Sequence, residues 1–290
     1  MAKEYTLKSS VGNFSTLDFG GIGDTCLLLH GTGQNAEAWR DVATILSTEY
    51  RTIAIDMRGH GQTTENSNNS EQYWRDIGSI IEAFDLESPP ILIGHSSGGY
   101  AATAYSASGG ECLAIVSVDG FTLDDKDSYI SQANQWTLKD LATMFRYGWI
   151  ATSGERDAYI QQVLDARNED WLNKGVDKSL LKRMLMRCFL QKDNSWIRRP
   201  TLDEIVTIST PQSQATILPT LDLYDKVKSP LALIFATQGL TAHRKKEVEA
   251  IAEARPNRIF RSINANHNVP MQQPDKLAHI IMSSLSILLH

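Results

Sequence analysis

A serine hydroxyl is a poor nucleophile at neutral pH. It attacks a carbonyl carbon only where a base lies within hydrogen-bond reach and donors await the oxyanion that forms. Within this sequence of 290 residues, Ser96 has the neighbours that chemistry needs. Ile91-Leu92-Ile93 is a short apolar run, Gly94-His95-Ser96-Ser97-Gly98 follows it, and Ala101-Ala102-Thr103-Ala104 reads as the start of a helix. Gly-x-Ser-x-Gly between a strand and a helix is the pattern of a nucleophile elbow, a turn so tight that the serine backbone is strained. Gly94 and Gly98 stand where any side chain would strike the neighbouring strand or helix. Ser96 Oγ is then held above the sheet edge, and the N–H of Ser97, first in the helix, points at an oxyanion formed there.

The base best suited to Ser96 is His267, in Asn264-Ala265-Asn266-His267-Asn268-Val269-Pro270. This stretch links the last predicted strand to the last predicted helix, at the C-terminal edge of the sheet where open α/β sheets place their sites. His279, on the final helix, and His290, at the tail, are expected to face solvent.

These residues need a frame, and the hydrophobic pattern supplies one. Residues 4–18 alternate polar and apolar, which predicts a leading antiparallel hairpin closed by Gly20-Gly21-Ile22-Gly23-Asp24. Thr25–Leu29, Tyr50–Ile55, Ile91–Ile93, Ala114–Val118, Pro230–Phe235 and Arg258–Ile263 are short apolar runs of the kind that strands covered on both faces require. Helical spacing separates them: Ala36–Leu46 with Trp39, Val42, Ala43 and Leu46, a helix through Trp74, Ile77, Ile81 and Phe84, one through Val248 and Ile251, and a last helix from Pro274. Strands alternating with helices in this way predict an α/β, doubly wound, mostly parallel sheet. From Leu123 to Pro219 the rhythm breaks. Trp136, Leu141, Met144, Phe145, Trp149, Trp171, Leu180, Met184, Leu185 and Trp196 fall at helix spacing, with no buried strand among them. The division that follows is a core of residues 1–121 and 220–290, and a helical lid over 122–219.

Composition narrows the function classes. At 42% hydrophobic and 21% charged residues, the chain has the makeup of a globular protein with a sizeable core. A net charge of −6 and the lack of any sustained basic run argue against nucleic acid or an anionic membrane as partner. Cys26, Cys112 and Cys188 have no metal-ligand spacing, and an odd number gives no disulfide framework. No metal site, dinucleotide fingerprint or other cofactor requirement is visible. With no apolar signal core at the start and no bilayer-length run, the sequence reads as that of a cytoplasmic protein acting on a small molecule. Its oligomeric state is not legible.

Four motifs in order give the chain its resemblance to the α/β-hydrolase family, in its lid-bearing branch. They are His30-Gly31-Thr32-Gly33 with Trp39 behind, Asp56-Met57-Arg58-Gly59-His60-Gly61, Gly94-His95-Ser96-Ser97-Gly98, and His267 followed by Gln273-Pro274-Asp275-Lys276-Leu277. The resemblance implies that Thr32 supplies a second oxyanion N–H beside that of Ser97. It gives the turn from Asp56 to Gly61, and with it His30 and His60, a structural part only. In the family the acid of the triad usually follows the strand that here is Leu231 to Phe235. This sequence has Ala236-Thr237-Gln238-Gly239-Leu240-Thr241-Ala242-His243 instead, without a carboxylate. Some relatives carry the acid after the strand that follows the elbow helix, and there stands Asp119, before Gly120-Phe121. The implied triad is Ser96, Asp119 and His267, in the chain order usual for this fold.

The function these residues imply is a serine hydrolase cleaving an ester or lactone of a small, moderately apolar substrate. Gly33, His95, Phe121, Trp149 and Val269 are expected to contact that substrate. Carbon–carbon bond hydrolysis and cofactor-free dioxygenase chemistry are alternatives on the same fold, the latter needing only a His/Asp dyad. A non-catalytic ligand-binding receptor is a third.

Overall fold

The structure, a computed structural model, describes residues 2–132, 146–209 and 215–290. The apolar runs become strands: β1 (Lys3–Ser9), β2 (Gly12–Asp18), β3 (Thr25–Leu29), β4 (Arg51–Ile55), β5 (Ile91–His95) and β6 (Ala114–Val118). After an insertion carrying β7 (Ile150–Ala151), β8 (Phe189–Lys192) and β9 (Ser195–Arg198) come β10 (Leu231–Gln238) and β11 (Arg258–Asn266). The main sheet has eight strands in the order β1-β2-β4-β3-β5-β6-β10-β11. From β4 across to β11 every pairing is parallel, and β1 and β2 add an antiparallel edge. The fold is the expected α/β architecture.

Every residue of β3, β5 and β6 is buried, as strands with helices on both faces must be. The two-residue period of the strand sorts side chains between the faces. Cys26, Leu28, Ile93 and Val116 meet Trp39, the helix α1 (Arg40–Leu46) and the C-terminal helix Pro274–Leu289. Leu27, Leu29, Leu92 and Ile115 pack under α2 (Gln72–Phe84) and α3 (Ser97–Ala107). At roughly 1.5–3 kcal/mol for each large aliphatic side chain removed from water, these layers fix where the strand ends lie.

Two expectations need correction. Gly20–Asp24 does not close the leading hairpin. The register Ser9↔Gly12 makes Ser10-Val11 its turn, and the glycine-rich stretch links β2 to β3. The insertion is also not wholly helical. Besides the helices Ser153–Ala166 and Lys178–Arg187 it holds a three-stranded antiparallel sheet in the order β7-β9-β8. Lys192 pairs with Ser195, so Asp193-Asn194 is a two-residue hairpin turn, with Asp193 at φ 53°. Asp and Asn tolerate that left-handed conformation, which makes the dipeptide the hairpin signal in the sequence. Trp196 accordingly lies on β9, Trp149 just before β7, and Trp171 is exposed in a turn. Leu180, Met184 and Leu185 do lie on a helix. Trp136, Leu141, Met144 and Phe145 fall outside the described residues.

The insertion is seated on the core by apolar contact and by charge. Leu180, Leu181, Met184, Leu185 and Phe189 cluster with Ala38 and Met271 of the core. Arg187 donates from Nε to both oxygens of Asp56, at 2.9 and 3.1 Å, from Nη1 to Glu4 at 2.6 Å, and from Nη2 to Ser15 Oγ at 2.8 Å. Asp56 is itself buried and also accepts from the N–H groups of Ala36 and Gln62.

Candidate active site

Three consecutive parallel strand ends and the loop after β11 build the site. Ser96 follows β5 with φ 52° and ψ −123°, the strained conformation of an elbow. The backbones around it leave room for nothing larger than glycine. A Cβ on Gly98 would lie 2.3 Å from the Leu29 carbonyl oxygen, and one on Gly94 would lie 2.1 Å from that of Gly98. The Ser96 N–H is held by the carbonyl of Val118 at 3.0 Å.

Asp119 follows β6, with φ 45° and its N–H bonded to the Ile234 carbonyl at 2.9 Å. Its carboxylate is almost fully buried and reaches His267 Nδ1 at 2.6 Å, and His267 Nε2 lies 3.0 Å from Ser96 Oγ. The three residues therefore form one hydrogen-bonded chain. An ionised carboxylate only accepts, so Nδ1 carries the proton, and Nε2 is left bare to accept from the Ser96 hydroxyl. The loop after β10 holds no carboxylate, yet it shapes this arrangement. A Cβ on Gly239 would lie 2.2 Å from Asp119 Oδ2, so the loop leaves the acid its space. The nearest carboxylate downstream, Glu247, is half-exposed and bonded to Arg244.

Thr32 follows β3, Ser97 opens α3, and both border the cavity beside Ser96. As first residue of a helix, Ser97 has an N–H with no intrahelical acceptor. Their side chains are joined: Thr32 Oγ1 donates to Ser97 Oγ at 2.9 Å, Ser97 Oγ lies 3.4 Å from the Tyr73 hydroxyl, and Tyr73 donates to the His30 carbonyl at 3.2 Å. Burial pushes the Tyr73 phenol well above its usual range, so it stays protonated. Nothing in the periodicity of α2 marks Tyr73 as more than a core residue.

A cavity of about 400 Å³ opens beside the Ser96–His267 pair. Of the five residues expected at the substrate, Phe121 lines it. The other four lie elsewhere. Val269 is fully buried in the apolar layer beneath the C-terminal helix. Trp149 packs edge-on to Tyr159 and Phe189 inside the insertion, and Gly33 faces Tyr147. His95 points backward from the elbow: its Nε2 lies 2.7 Å from the His267 carbonyl and its Nδ1 3.0 Å from Gln34 Oε1, while Gln34 reaches Asn268 at 2.8 Å. Burial, then the neighbouring His267, hold His95 well below the usual imidazole range. It is thus neutral, with one N–H to give, and by donating it from Nε2 to the His267 carbonyl it braces that backbone. A larger cavity, about 760 Å³, lies among Asp222–Lys226, Ala250 and Arg258 and contains none of Ser96, Asp119 and His267.

Similarity to known proteins agrees with this fold. A sequence model of the alpha/beta hydrolase family matches residues 26–280. Protein phosphatase methylesterase 1 of Mus musculus is 37% identical over 157 residues, which cover 49% of this chain and 40% of the methylesterase. The chain thus matches under half the length of these curated relatives. A 2-hydroxy-6-oxo-6-(2'-aminophenyl)hexa-2,4-dienoic acid hydrolase of Metapseudomonas resinovorans is 34% identical over 84 residues, 27% of this chain and 29% of that protein. Among solved structures, E-2-(acetamidomethylene)succinate hydrolase superposes with a TM-score of 0.76 at 15% identity, covering 99% of this chain and 100% of that one. A thermophilic esterase from Thermogutta terrifontis does so with a TM-score of 0.67 at 18% identity, over the whole of both chains. At such identities the likeness is one of fold.

Proposed function

Since the chain belongs to the alpha/beta hydrolase family, we propose that it is a serine hydrolase that cleaves an ester or lactone of a small, moderately apolar substrate through Ser96, His267 and Asp119. The observation that carries this reading is the 3.0 Å hydrogen bond from Ser96 Oγ to His267 Nε2, backed by Asp119 at 2.6 Å. An oxygenase that needs only a histidine base has no use for a serine so held.

Ser96 Oγ attacks the carbonyl carbon of the ester while His267 Nε2 takes its proton. Asp119 stabilises the imidazolium without taking the proton itself. The carbonyl oxygen, now an oxyanion, is received by the N–H groups of Thr32 and Ser97, at roughly 3 kcal/mol of transition-state stabilisation per donor. Collapse breaks the ester C–O bond, and His267 returns its proton to the departing alcohol. Water, deprotonated by the same imidazole, then attacks the acyl-enzyme, and the acid leaves with Ser96 restored.

The choice of an ester rests on the likeness to a methylesterase. The protein substrate implied by the methylesterase's name is not carried over, because so little of that relative is matched. Phe121, Leu123, Ile217 and Leu218 support an apolar acyl group. Leu123, Ile208, Ile217 and Leu218 belong to the insertion, which supports its role as a lid over the substrate.

The test is turnover of 4-nitrophenyl butyrate by wild type and Ser96→Ala, with fluorophosphonate labelling mapped by peptide mass spectrometry. Wild type is expected to turn over and to label on Ser96, and Ser96→Ala to do neither while keeping its circular dichroism. A Ser96→Ala variant as active as wild type would overturn the assignment.

A further inference from the structure

The cavity beside Ser96 has a charge arrangement that bears on which acyl groups can enter. Among the described residues that line it, Arg244 is the single lysine or arginine, and Asp124 faces the same space. Arg244 is already committed. Its Nη1 donates to Asp124 Oδ1 at 2.5 Å, its Nη2 to the Leu123 carbonyl at 2.8 Å, and its Nε and Nη2 to the two oxygens of Glu247 at 2.9 and 2.7 Å. A guanidinium has five N–H donors in a fixed fork, and four hydrogen bonds leave a single N–H of Nη1 over. Two carboxylates against one guanidinium also leave the cluster one negative charge in excess.

We propose that this cavity admits uncharged acyl groups and rejects those bearing a carboxylate, and that the Asp124–Arg244–Glu247 cluster sets the discrimination. The inference rests on the reading that the cavity takes the acyl part of an ester. An entering carboxylate gives up its water to a wall of Phe121, Leu123, Ile217 and Leu218. That loss is tolerable only against a cation with donors to spare. Here the one arginine has a single N–H left and its charge is already offset, and Asp124 repels. A methyl or phenyl group meets no such barrier.

The experiment uses substrates of the same carbon-chain length, one uncharged and one charged at the end of the acyl chain. 4-Nitrophenyl butyrate ends in a methyl group, and 4-nitrophenyl hemisuccinate ends in a carboxylate at the same length. Wild type is expected to favour the butyrate in kcat/KM by about a hundredfold, like-charge contact being costly. Asp124→Asn, which removes the excess negative charge and leaves the cluster neutral, is expected to raise kcat/KM for the hemisuccinate about tenfold. Glu247→Ala, half-exposed and outside this cavity, is expected to raise it several-fold. It also serves if Asp124→Asn fails to fold.

Calorimetric binding of N-phenylbutanamide and N-phenylsuccinamate to Ser96→Ala reads the same preference without turnover. If neither ester is cleaved but the neutral anilide binds preferentially, the ester reading falls and the charge selectivity stands. If both esters are cleaved alike, the selectivity falls and the hydrolase reading stands. Equal binding of the two anilides, or binding of neither, would overturn the proposal.

Discussion

At the scale of single residues, the site depends on what is missing as much as on what is present. Asp119 can lie against His267 Nδ1 because position 239 has no side chain, and a Cβ there would fall 2.2 Å from the carboxylate oxygen. Gly239→Ala is therefore expected to push the acid away from the imidazole, lowering kcat at least tenfold with KM little changed, since Gly239 is not among the residues lining the cavity. Asp119→Asn goes further. It lets the imidazole settle in the wrong tautomer, and a kcat loss of about 10⁴-fold is expected from triads of this kind. Steady-state kinetics on the two variants checks both, and an unchanged kcat in Gly239→Ala would remove Gly239 from the account. The meeting of Ser96, His267 and Asp119 was legible in the sequence because each sits at a strand end whose position the hydrophobic pattern sets. His95 was misread as a substrate contact. Its place next to Ser96 is visible in the sequence, but the direction of its side chain depends on Gln34 and the His267 carbonyl, which meet it only in the fold.

At the scale of elements, the core strands were legible and the insertion was not, for one physical reason. A strand buried on both faces announces itself as an unbroken apolar run, as Leu27–Leu29 and Ile91–Ile93 do. The strands of the small sheet are short and half-exposed, Phe189–Lys192 and Ser195–Arg198, so they carry no such run and their tryptophan falls by accident at helical spacing. The contact that holds this element in place was equally hidden. Arg187 and Asp56 are 131 residues apart in sequence and meet as a buried ion pair. Replacing Arg187 with methionine would leave the fully buried Asp56 carboxylate without its guanidinium, and Glu4 and Ser15 without a partner from the insertion. A loss of about 3–5 kcal/mol is expected, the usual cost of orphaning a buried charge. Urea denaturation is the measurement. A change below about 1 kcal/mol would mean that apolar contacts alone seat the insertion.

At the scale of the whole molecule, buried imidazoles make the fold sensitive to mild acid. His30 is completely buried, with Nδ1 donating to the Gly31 carbonyl and Nε2 accepting from the Met57 N–H. Burial, helped by the charge of Arg187, lowers it to about 4. His60 lies tilted against it at 5.0 Å between ring centres and is lowered to about 3, by burial first and then by His30 and Arg199, against the opposing pull of Asp56. His95 is held down in the same direction by burial and by His267. In the unfolded chain all three titrate near 6.5. Below that pH the unfolded state binds protons the folded state refuses, so stability is fully present above about pH 6.5 and falls as pH drops toward the folded values. Between pH 7 and 5 the loss is about 2 kcal/mol for each of His30 and His60. Asp41 and Asp76 act in the opposite sense, since burial raises their carboxyls and lets the folded state take up protons first. Their effect is concentrated nearer the carboxylate range, at the lower end of this window, and leaves the three histidines dominant from pH 7 to 5.5. The unfolding free energy from urea titrations at pH 7, 6 and 5 should therefore fall with a slope that steepens below pH 6.5. A profile flat across that interval would mean that the folded state takes up these protons, with His30 releasing the Met57 N–H to do so.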